Sequence, residues 1–226
     1  MTQGAQLNDE QLHQRWLGWL DIIAGDVFRL RHSQQMWTEL VEIVRANPEI
    51  PEPGHIMGWI KNMYGAYIAV GIRAQADTQS NVVCLARLLR GVQSRPRVID
   101  RGRFRGHYQA EDAGFADSDF DRLAGPKREY LDPAIVGEDL DRLRTISLET
   151  KEVVTKHIVH RGEEPAAKDV TFDELHQVLE EIAGLFQKYY HLLTGARYIT
   201  TVPVLQYDWK QALTVAWLPL RSPGNW

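Results

Sequence analysis

Apolar side chains recur at intervals of three and four residues through most of this chain, and that spacing restricts the fold more than any other feature. In the first such stretch, one helical face collects Leu12, Trp16, Leu20, Ile23 and Val27. Asn8, followed three residues later by Gln11, has the pattern of a capping box at a helix N-terminus. The prolines of "NPEIPEPG" end the stretch, because proline cannot continue a helix. The spacing therefore predicts one long helix, or two with a kink near Gly25.

The same periodicity predicts further helices over about 55–77, 79–92, 133–161 and 172–195, and a short one after Asp208. Pro133 suits the first turn of its helix, Thr171 the cap of the next, and Gly195 a left-handed C-cap. We expect an all-α chain, a single helical-bundle domain over 1–226 with five or six helices. Segment 95–132 loses the periodicity and is predicted to be an irregular, loop-rich insertion. The tail, 196–226, starts with a β-branched run that favours extended backbone, and we expect it to pack on the bundle.

Three glycines in the second predicted helix, Gly58, Gly65 and Gly71, lie six or seven residues apart, at nearly one angle on that helix. Glycine in a helix interior costs about 1 kcal/mol relative to alanine. A seam of glycines therefore predicts close approach to another helix, either within the chain or in a partner chain.

The composition is that of a globular protein, with 226 residues, 44% of them hydrophobic and 25% charged. The net charge of −4 provides no general attraction for nucleic acid, so such binding would need a local basic patch. Cys84 is the single cysteine, which excludes an intramolecular disulfide, and its apolar surroundings predict a core residue. The chain has no apolar run long enough to span a membrane and no signal-peptide pattern at its start. We therefore expect a soluble, cytoplasmic protein with no membrane association.

The segment from Ser94 to Asp132 contains five arginines between Arg95 and Arg105, interleaved with aromatic residues. Such a stretch can hold single-stranded nucleic acid by phosphate contacts and base stacking, and Arg101, Arg103 and Arg105 are the candidate contacts. Five acidic residues follow in "EDAGFADSDFD". The alternative interpretation is that the basic and acidic halves neutralise each other on an exposed insertion.

The sequence "TKHIVHRGEE", Thr155 to Glu164, places two histidines and two cations at the end of a predicted helix. In a purely structural interpretation, Glu152, Lys156 and His160 form a ladder with a spacing of four, and the cations favour the negative end of the helix dipole. In a catalytic interpretation, His160 moves a proton near neutral pH while a neighbouring cation holds a phosphate. Metal-free cleavage of RNA needs such a pair.

A metal site would use His157 and His160, three residues apart, with Glu163 or Glu164. The usual helical zinc motif carries a glutamate between its histidines, and no distant third ligand is apparent. Nucleophilic triads have no support either, because no Gly-x-Ser-x-Gly elbow occurs. We predict no metal and no cofactor.

"TKHIVHRGEE" resembles the "K-x-x-A-H-R-D" helix end of HEPN domains, in the branch related to the U-type phage abortive-infection proteins. Three longer stretches resemble that branch in order and spacing: "DVFRLRHSQQMWTELVEIVRANP", "WIKNMYGAYIAVGIRAQADTQSNVVCLARLL" and "TFDELHQVLEEIAGLFQKYYHLLTG". The late "TTVPVLQYDWKQAL" does so as well. Together they cover most of the chain outside the segment from Ser94 to Asp132.

The resemblance implies a HEPN-like all-α bundle that forms a homodimer and acts as a metal-independent ribonuclease in phage defence. His160 matches the histidine of the family's active site. Val153, Val154 and Thr155 occupy the positions where the family's arginine stands, and Lys156 is the nearest preceding cation.

The leading hypothesis is an RNA-cleaving effector in which His160 and Lys156 are the catalytic residues. His160 is the general acid or base, and Lys156 binds phosphate together with Arg161 and Arg73. The alternative is a non-catalytic HEPN-fold module that binds RNA through the arginines between Arg95 and Arg105, or binds a protein partner or antitoxin. A third class, a helical bundle that binds a small molecule, predicts an aromatic-lined pocket, for which the chain has seven tryptophans.

Overall fold

The structure is a computed structural model that describes residues 7–47, 55–153 and 170–214. It confirms the all-α class: the described residues form seven α-helices and three 3-10 helices, with no strand longer than an isolated bridge between Asp100 and Tyr130. The α-helices are α1 (Asp9–Ala46), α2 (His55–Gln75), α3 (Leu85–Ser94), α4 (Arg101–Arg105), α5 (Ala113–Ala124), α6 (Pro133–Val153) and α7 (Phe172–Thr194). The 3-10 helices span Pro96–Val98, Ala110–Asp112 and Trp209–Thr214.

The helix ends follow the capping patterns in the sequence. The Asn8 side chain accepts a hydrogen bond from the Gln11 amide at 2.8 Å, and the Gln11 side chain accepts one from the Asn8 amide at 3.1 Å. Thr171 and Glu174 form the same reciprocal pair at the start of α7. Gly195 closes α7 in the left-handed conformation, with φ 69°. These predictions are confirmed, and α1 is one continuous helix past Gly25.

The core lies where α1, α2, α6 and α7 pack together, with α3 against α6. Its largest fully buried side chains are aromatic: Trp16, Phe104, Phe120, Phe186 and Tyr189. Cys84 is also buried in this core, as expected from its apolar surroundings. It lies directly before α3, which begins later than its predicted position because residues 78–84 form a turn that leads into the helix.

The glycine seam of α2 packs partly within the chain. A Cβ built on Gly65 would lie 3.3 Å from the Phe172 ring of α7. A Cβ on Gly71 would lie 2.9 Å from Leu30 Cδ1 of α1 and closer still to its Cδ2. Gly58, by contrast, faces open space. Two of the three glycines therefore allow α2 to approach the bundle, and the third leaves its surface free.

Segment 95–132 differs from the predicted irregular insertion, because it contains α4, α5 and two 3-10 turns. Phe104 and Phe120 are fully buried and pack against each other, with ring centroids 5.4 Å apart. Helix α4, five residues long, is too short to show a period, and in α5 the buried Ala116, Phe120, Leu123 and Ala124 recur at helical spacing among acidic residues. The two helices pack against each other and on α7.

The described part of the C-terminal tail packs on the bundle without forming a strand. The Tyr198 ring contacts Phe28 and Tyr190, with centroids 5.0 and 4.4 Å away, and Thr201 is buried. Trp209 Nε1 donates to Glu39 Oε2 of α1 at 3.1 Å. Among all the described helices, none has the length and apolar character that crossing a bilayer requires.

Candidate functional site

The predicted catalytic residues, Lys156 and His160, and the predicted phosphate ligand Arg161 lie outside the described residues. Helix α6, which precedes them in the sequence, is described as far as Val153. Asp132 Oδ1 accepts a hydrogen bond from the Ala134 amide at 2.9 Å at the start of α6, and Pro133 takes the first helical position as predicted.

Arg73, the predicted phosphate ligand from α2, lies in the last turn of that helix and is half-buried. Its guanidinium makes no hydrogen bond or ion pair with the residues that the structure describes. Its charge is therefore not neutralised by any carboxylate of the described bundle.

Arg101 is a largely buried part of the bundle. Its side chain is 16% exposed, and its guanidinium pairs with Asp121 and, at 3.2 Å, with Asp117 Oδ1. Its Nε also donates to the Arg128 carbonyl at 2.8 Å, and the guanidinium lies over the Phe120 ring. A guanidinium held in this way on all sides joins α4 to α5 and offers little surface to a phosphate.

Arg103 and Arg105 are also paired with carboxylates. Arg103 Nη1 donates to Glu10 Oε2 of α1 at 2.7 Å, and Arg105 Nε lies 3.7 Å from Asp117 Oδ1. Hydrogen bonds from Gln14 and from the Arg103 guanidinium lower the pKa of Glu10. These contacts favour internal neutralisation, the second interpretation of this segment, over a nucleic-acid surface.

A partly buried polar cluster that the sequence did not predict consists of Tyr108, Asp119, His191 and Arg197, which we call the His191 cluster. The Tyr108 hydroxyl lies 2.9 Å from His191 Nε2 and donates to Asp119 Oδ2 at 3.2 Å. Arg197 pairs with Asp119, and its Nε points at His191 Nε2 from 3.5 Å. The cluster joins the loop after α4, helix α5, helix α7 and the tail.

His191 is neutral at physiological pH. Burial, with a smaller contribution from the positive charge of Arg197, lowers the pKa of His191 to about 4. The negative charge of Asp119 raises this pKa, but by less than Arg197 lowers it. Burial also raises the pKa of Tyr108. Arg122 and Arg197 hold the pKa of Asp119 below its usual range in spite of burial, which acts in the opposite direction.

An open depression of about 470 Å³ adjoins this cluster and is lined in part by Phe115, Asp119 and Arg197. His191 itself is only 4% exposed and does not line the depression. A ligand there would meet the ion pair and not the imidazole. The His191 cluster is therefore best explained as a structural connection among separate parts of the chain.

The most unusual surface is on α2. Five apolar side chains follow one line along this helix, spaced by 3, 4, 4 and 3 residues, and each is 44–69% exposed. We call this line the α2 stripe; its members are Ile56, Trp59, Met63, Tyr67 and Val70. The opposite face of α2 buries Tyr64, Ile68 and Ile72 in the bundle. The helix is therefore apolar on two sides, of which the described part of the bundle covers one.

The charge on α2 is low and has one sign. The helix has no acidic residue, and its only lysine and arginine are Lys61 and Arg73. Lys61 lies two residues, about 200°, from Met63, so it is directed away from the stripe, and its amino group lies 5.8 Å from the Phe172 ring centroid. No member of the stripe is charged, and at its C-terminal end Tyr67 and Val70 adjoin the Asp26–Arg29 ion pair of α1.

Metal binding has no support in this part of the chain, since the described residues hold no group of three or more histidine, cysteine or acidic side chains placed to share an ion. No family model, curated protein or solved structure matches the chain.

Proposed function

We propose that this protein works as a protein-interaction module, and that the α2 stripe is its interface, pairing with the α2 stripe of a second copy. The observation that carries the proposal is the uncovered line of Ile56, Trp59, Met63, Tyr67 and Val70. Soluble monomers rarely leave a contiguous apolar patch of this size in water.

The spacing of the stripe favours another helix as its occupant. Alternating intervals of three and four residues are the pattern by which two helices pack side chains into each other's gaps. From their exposed fractions, the five side chains present on the order of 600 Å² per copy, since aromatic side chains alone reach 150–250 Å² each. Two copies would bury on the order of 1,200 Å², the lower limit for a specific interface.

An antiparallel pair centred on Met63 also separates like charges. Arg73 lies ten residues from that centre, so the two copies of Arg73 would lie roughly 30 Å apart along the helices. At that distance salt screens their repulsion almost completely. The exposed α2 surface therefore suits a second copy of itself.

The test is the molar mass in solution as a function of concentration, by sedimentation equilibrium. We expect wild type to dimerise in the micromolar range and Met63→Glu to be monomeric, because the variant places two carboxylates at the centre of the pair. Ile22→Glu is the matched control: Ile22 is a 52% exposed apolar residue on α1, outside the stripe, and this variant should dimerise as wild type does.

A wild-type protein that stays monomeric at about 100 micromolar, or a Met63→Glu variant that still dimerises, refutes the proposal. Binding of the monomer to anionic lipid vesicles, lost in Met63→Glu, would assign the stripe to a membrane surface instead.

A second candidate function is the RNA-cleaving effector, which rests on the likeness of "TKHIVHRGEE" and its flanking stretches to abortive-infection HEPN proteins. In this proposal, the protein acts in the cytoplasm and RNA is its substrate. His160 is the general acid or base, and Lys156 and Arg161 hold the phosphate. The test is cleavage of a mixed RNA pool in EDTA. Cleavage should be lost in His160→Ala and retained in His157→Ala; equal activity in both variants, or none in wild type, counts against it.

A further inference from the structure

Between α3 and α6 the bundle contains a cavity of about 540 Å³, within the size range of small-molecule sites. Its apolar wall includes Ala86, Leu140 and Leu143, of which Ala86 and Leu143 are buried. Its polar lining includes Arg90, Arg144 and Ser147. An apolar interior with a few polar groups is the usual composition of a ligand site.

Ser147 is the most informative residue of this cavity. It is 2% exposed, lines the cavity, and its hydroxyl has no hydrogen-bond partner among the described residues. A serine inside a helix ordinarily donates to the carbonyl four residues earlier. A buried hydroxyl without a partner is unfavourable by about 1–3 kcal/mol. A ligand that accepts a hydrogen bond from Ser147 would remove that deficit.

The cavity also has uncompensated positive charge. Arg90 is held in place by three backbone carbonyls: Nη1 donates to Thr78 at 2.8 Å, Nη2 to Asp77 at 3.3 Å and Nε to Ala86 at 3.3 Å. No carboxylate of the described residues pairs with Arg90 or with Arg144. Arg90 is fixed by these hydrogen bonds, and Arg144 lines the same cavity. Two guanidiniums without a counter-ion among the described residues attract an anion.

One acidic side chain, Asp141, lines the same cavity and limits the charge of the ligand. With Arg90 and Arg144 it leaves a net charge of about +1 around the cavity, which a single negative charge balances. A dianion would be repelled by Asp141. A cation would be repelled by both guanidiniums.

From these observations we infer that the α3–α6 cavity binds a small amphipathic monoanion, an apolar body with one carboxylate. Leu140, Leu143 and Ala86 contact the body, Arg144 and Arg90 attract the carboxylate, and Ser147 donates a hydrogen bond to it. This inference does not depend on pairing of the α2 stripe or on RNA cleavage.

Decanoate, below its micelle-forming concentration, is the probe, and isothermal titration calorimetry on the full chain is the measurement. Decanol and decylamine are the comparison ligands, because they have the same apolar body. Decanol is uncharged, and decylamine is positively charged. We expect decanoate to bind at least about tenfold more tightly than either, because its carboxylate gains charge-assisted hydrogen bonds. Equal affinity for decanol, preference for decylamine, or no heat with decanoate would each overturn the inference.

Two arginines on α6 make a matched pair for the charge. Arg144→Gln should weaken decanoate binding about tenfold, since it removes one of the two charge-assisted partners. Arg142→Gln is the control, because Arg142 pairs with Glu181 of α7 at 2.5 Å and does not line the cavity. Its affinity for decanoate should stay within about twofold of wild type, since no charge-assisted partner is lost; equal losses in both variants would overturn the assignment.

Ser147→Ala separates a ligand contact from a structural role. We expect about fivefold weaker decanoate binding and an unfolding midpoint of the ligand-free protein equal to or above that of wild type, because the change removes an unpaired hydroxyl. A lower midpoint with unchanged affinity would mean that the hydroxyl already has a partner in the fold, and the inference would be wrong.

Discussion

Gly71 is a position where α2 closely approaches Leu30 of α1, and substituting it tests how closely the two helices pack. In Gly71→Ala the new methyl would lie 2.9 Å from Leu30 Cδ1 and closer to Cδ2. Leu30 is 3% exposed, so its side chain must shift within the bundle to make room for the new methyl. Overpacking of this kind costs about 1–3 kcal/mol, and two close methyl contacts place the cost near the upper end.

Helix propensity acts in the opposite direction and must be subtracted. Alanine gains about 1 kcal/mol over glycine in a helix interior, so the net loss for Gly71→Ala is about 2 kcal/mol. Gly18→Ala is the matched control, because Gly18 is inside α1 and a Cβ there would have nothing within 4 Å. That variant should gain up to about 1 kcal/mol, so the two should differ by about 3 kcal/mol.

The assay is urea unfolding followed by circular dichroism at one fixed protein concentration, with the slope of the transition as a check on two-state behaviour. In a Leu30→Ala background the clash is absent, and Gly71→Ala should become stabilising. The double-mutant cycle should therefore show a coupling of about 2–3 kcal/mol. Additive effects, or a Gly71→Ala protein as stable as Gly18→Ala, would refute the close packing of α2 on α1.

Three further predictions concern His191, Arg101 and Gly195. Burial lowers the pKa of His191 to about 4 from 6.5, so the unfolded chain binds more protons than the folded chain between those pH values. The free energy of unfolding should therefore fall, by up to about 3 kcal/mol, as pH falls through that range. His191→Gln should flatten the plot of the urea midpoint against pH, and an unchanged slope would contradict this. Arg101→Gln should lower the free energy of unfolding by about 2–3 kcal/mol, because it removes a largely buried partner of two carboxylates. Arg105 is 49% exposed, so Arg105→Gln should change that free energy by less than about 1 kcal/mol. Equal losses in urea unfolding would contradict the buried role of Arg101. Gly195→Ala should lower stability by about 2–4 kcal/mol, since φ is 69° and a Cβ would lie 2.7 Å from His107 Cγ; an unchanged thermal midpoint would be inconsistent with that cap.

Local chemistry made the helix ends predictable. Asn8 with Gln11 and Thr171 with Glu174 are three residues apart, and the cap needs only those residues and the helix that follows. Gly195 follows the last turn of α7 and takes the left-handed conformation that glycine adopts most easily. None of these features depends on a distant part of the chain.

Pairing across long separations was not predictable in the same way. Arg101 meets carboxylates 16 and 20 residues later only because α4 and α5 pack against each other. His191 meets Tyr108, which lies 83 residues earlier. The sequence shows these charges and rings, but not which of them share a buried site, and so the same arginines were compatible with RNA binding.

The amino-acid sequence alone specifies that this protein is all-helical, where α1 and α7 begin and where α7 ends, because spacing, caps and backbone freedom are properties of neighbouring residues. The side of α2 that is covered, in contrast, follows from the packing of the whole bundle. That helix has apolar residues on two faces, and periodicity alone does not distinguish Ile68 from Met63 as the residue that is buried in the core. The bundle has room for one face of α2 against α1, α6 and α7, so Ile68 is buried and the α2 stripe remains in solvent.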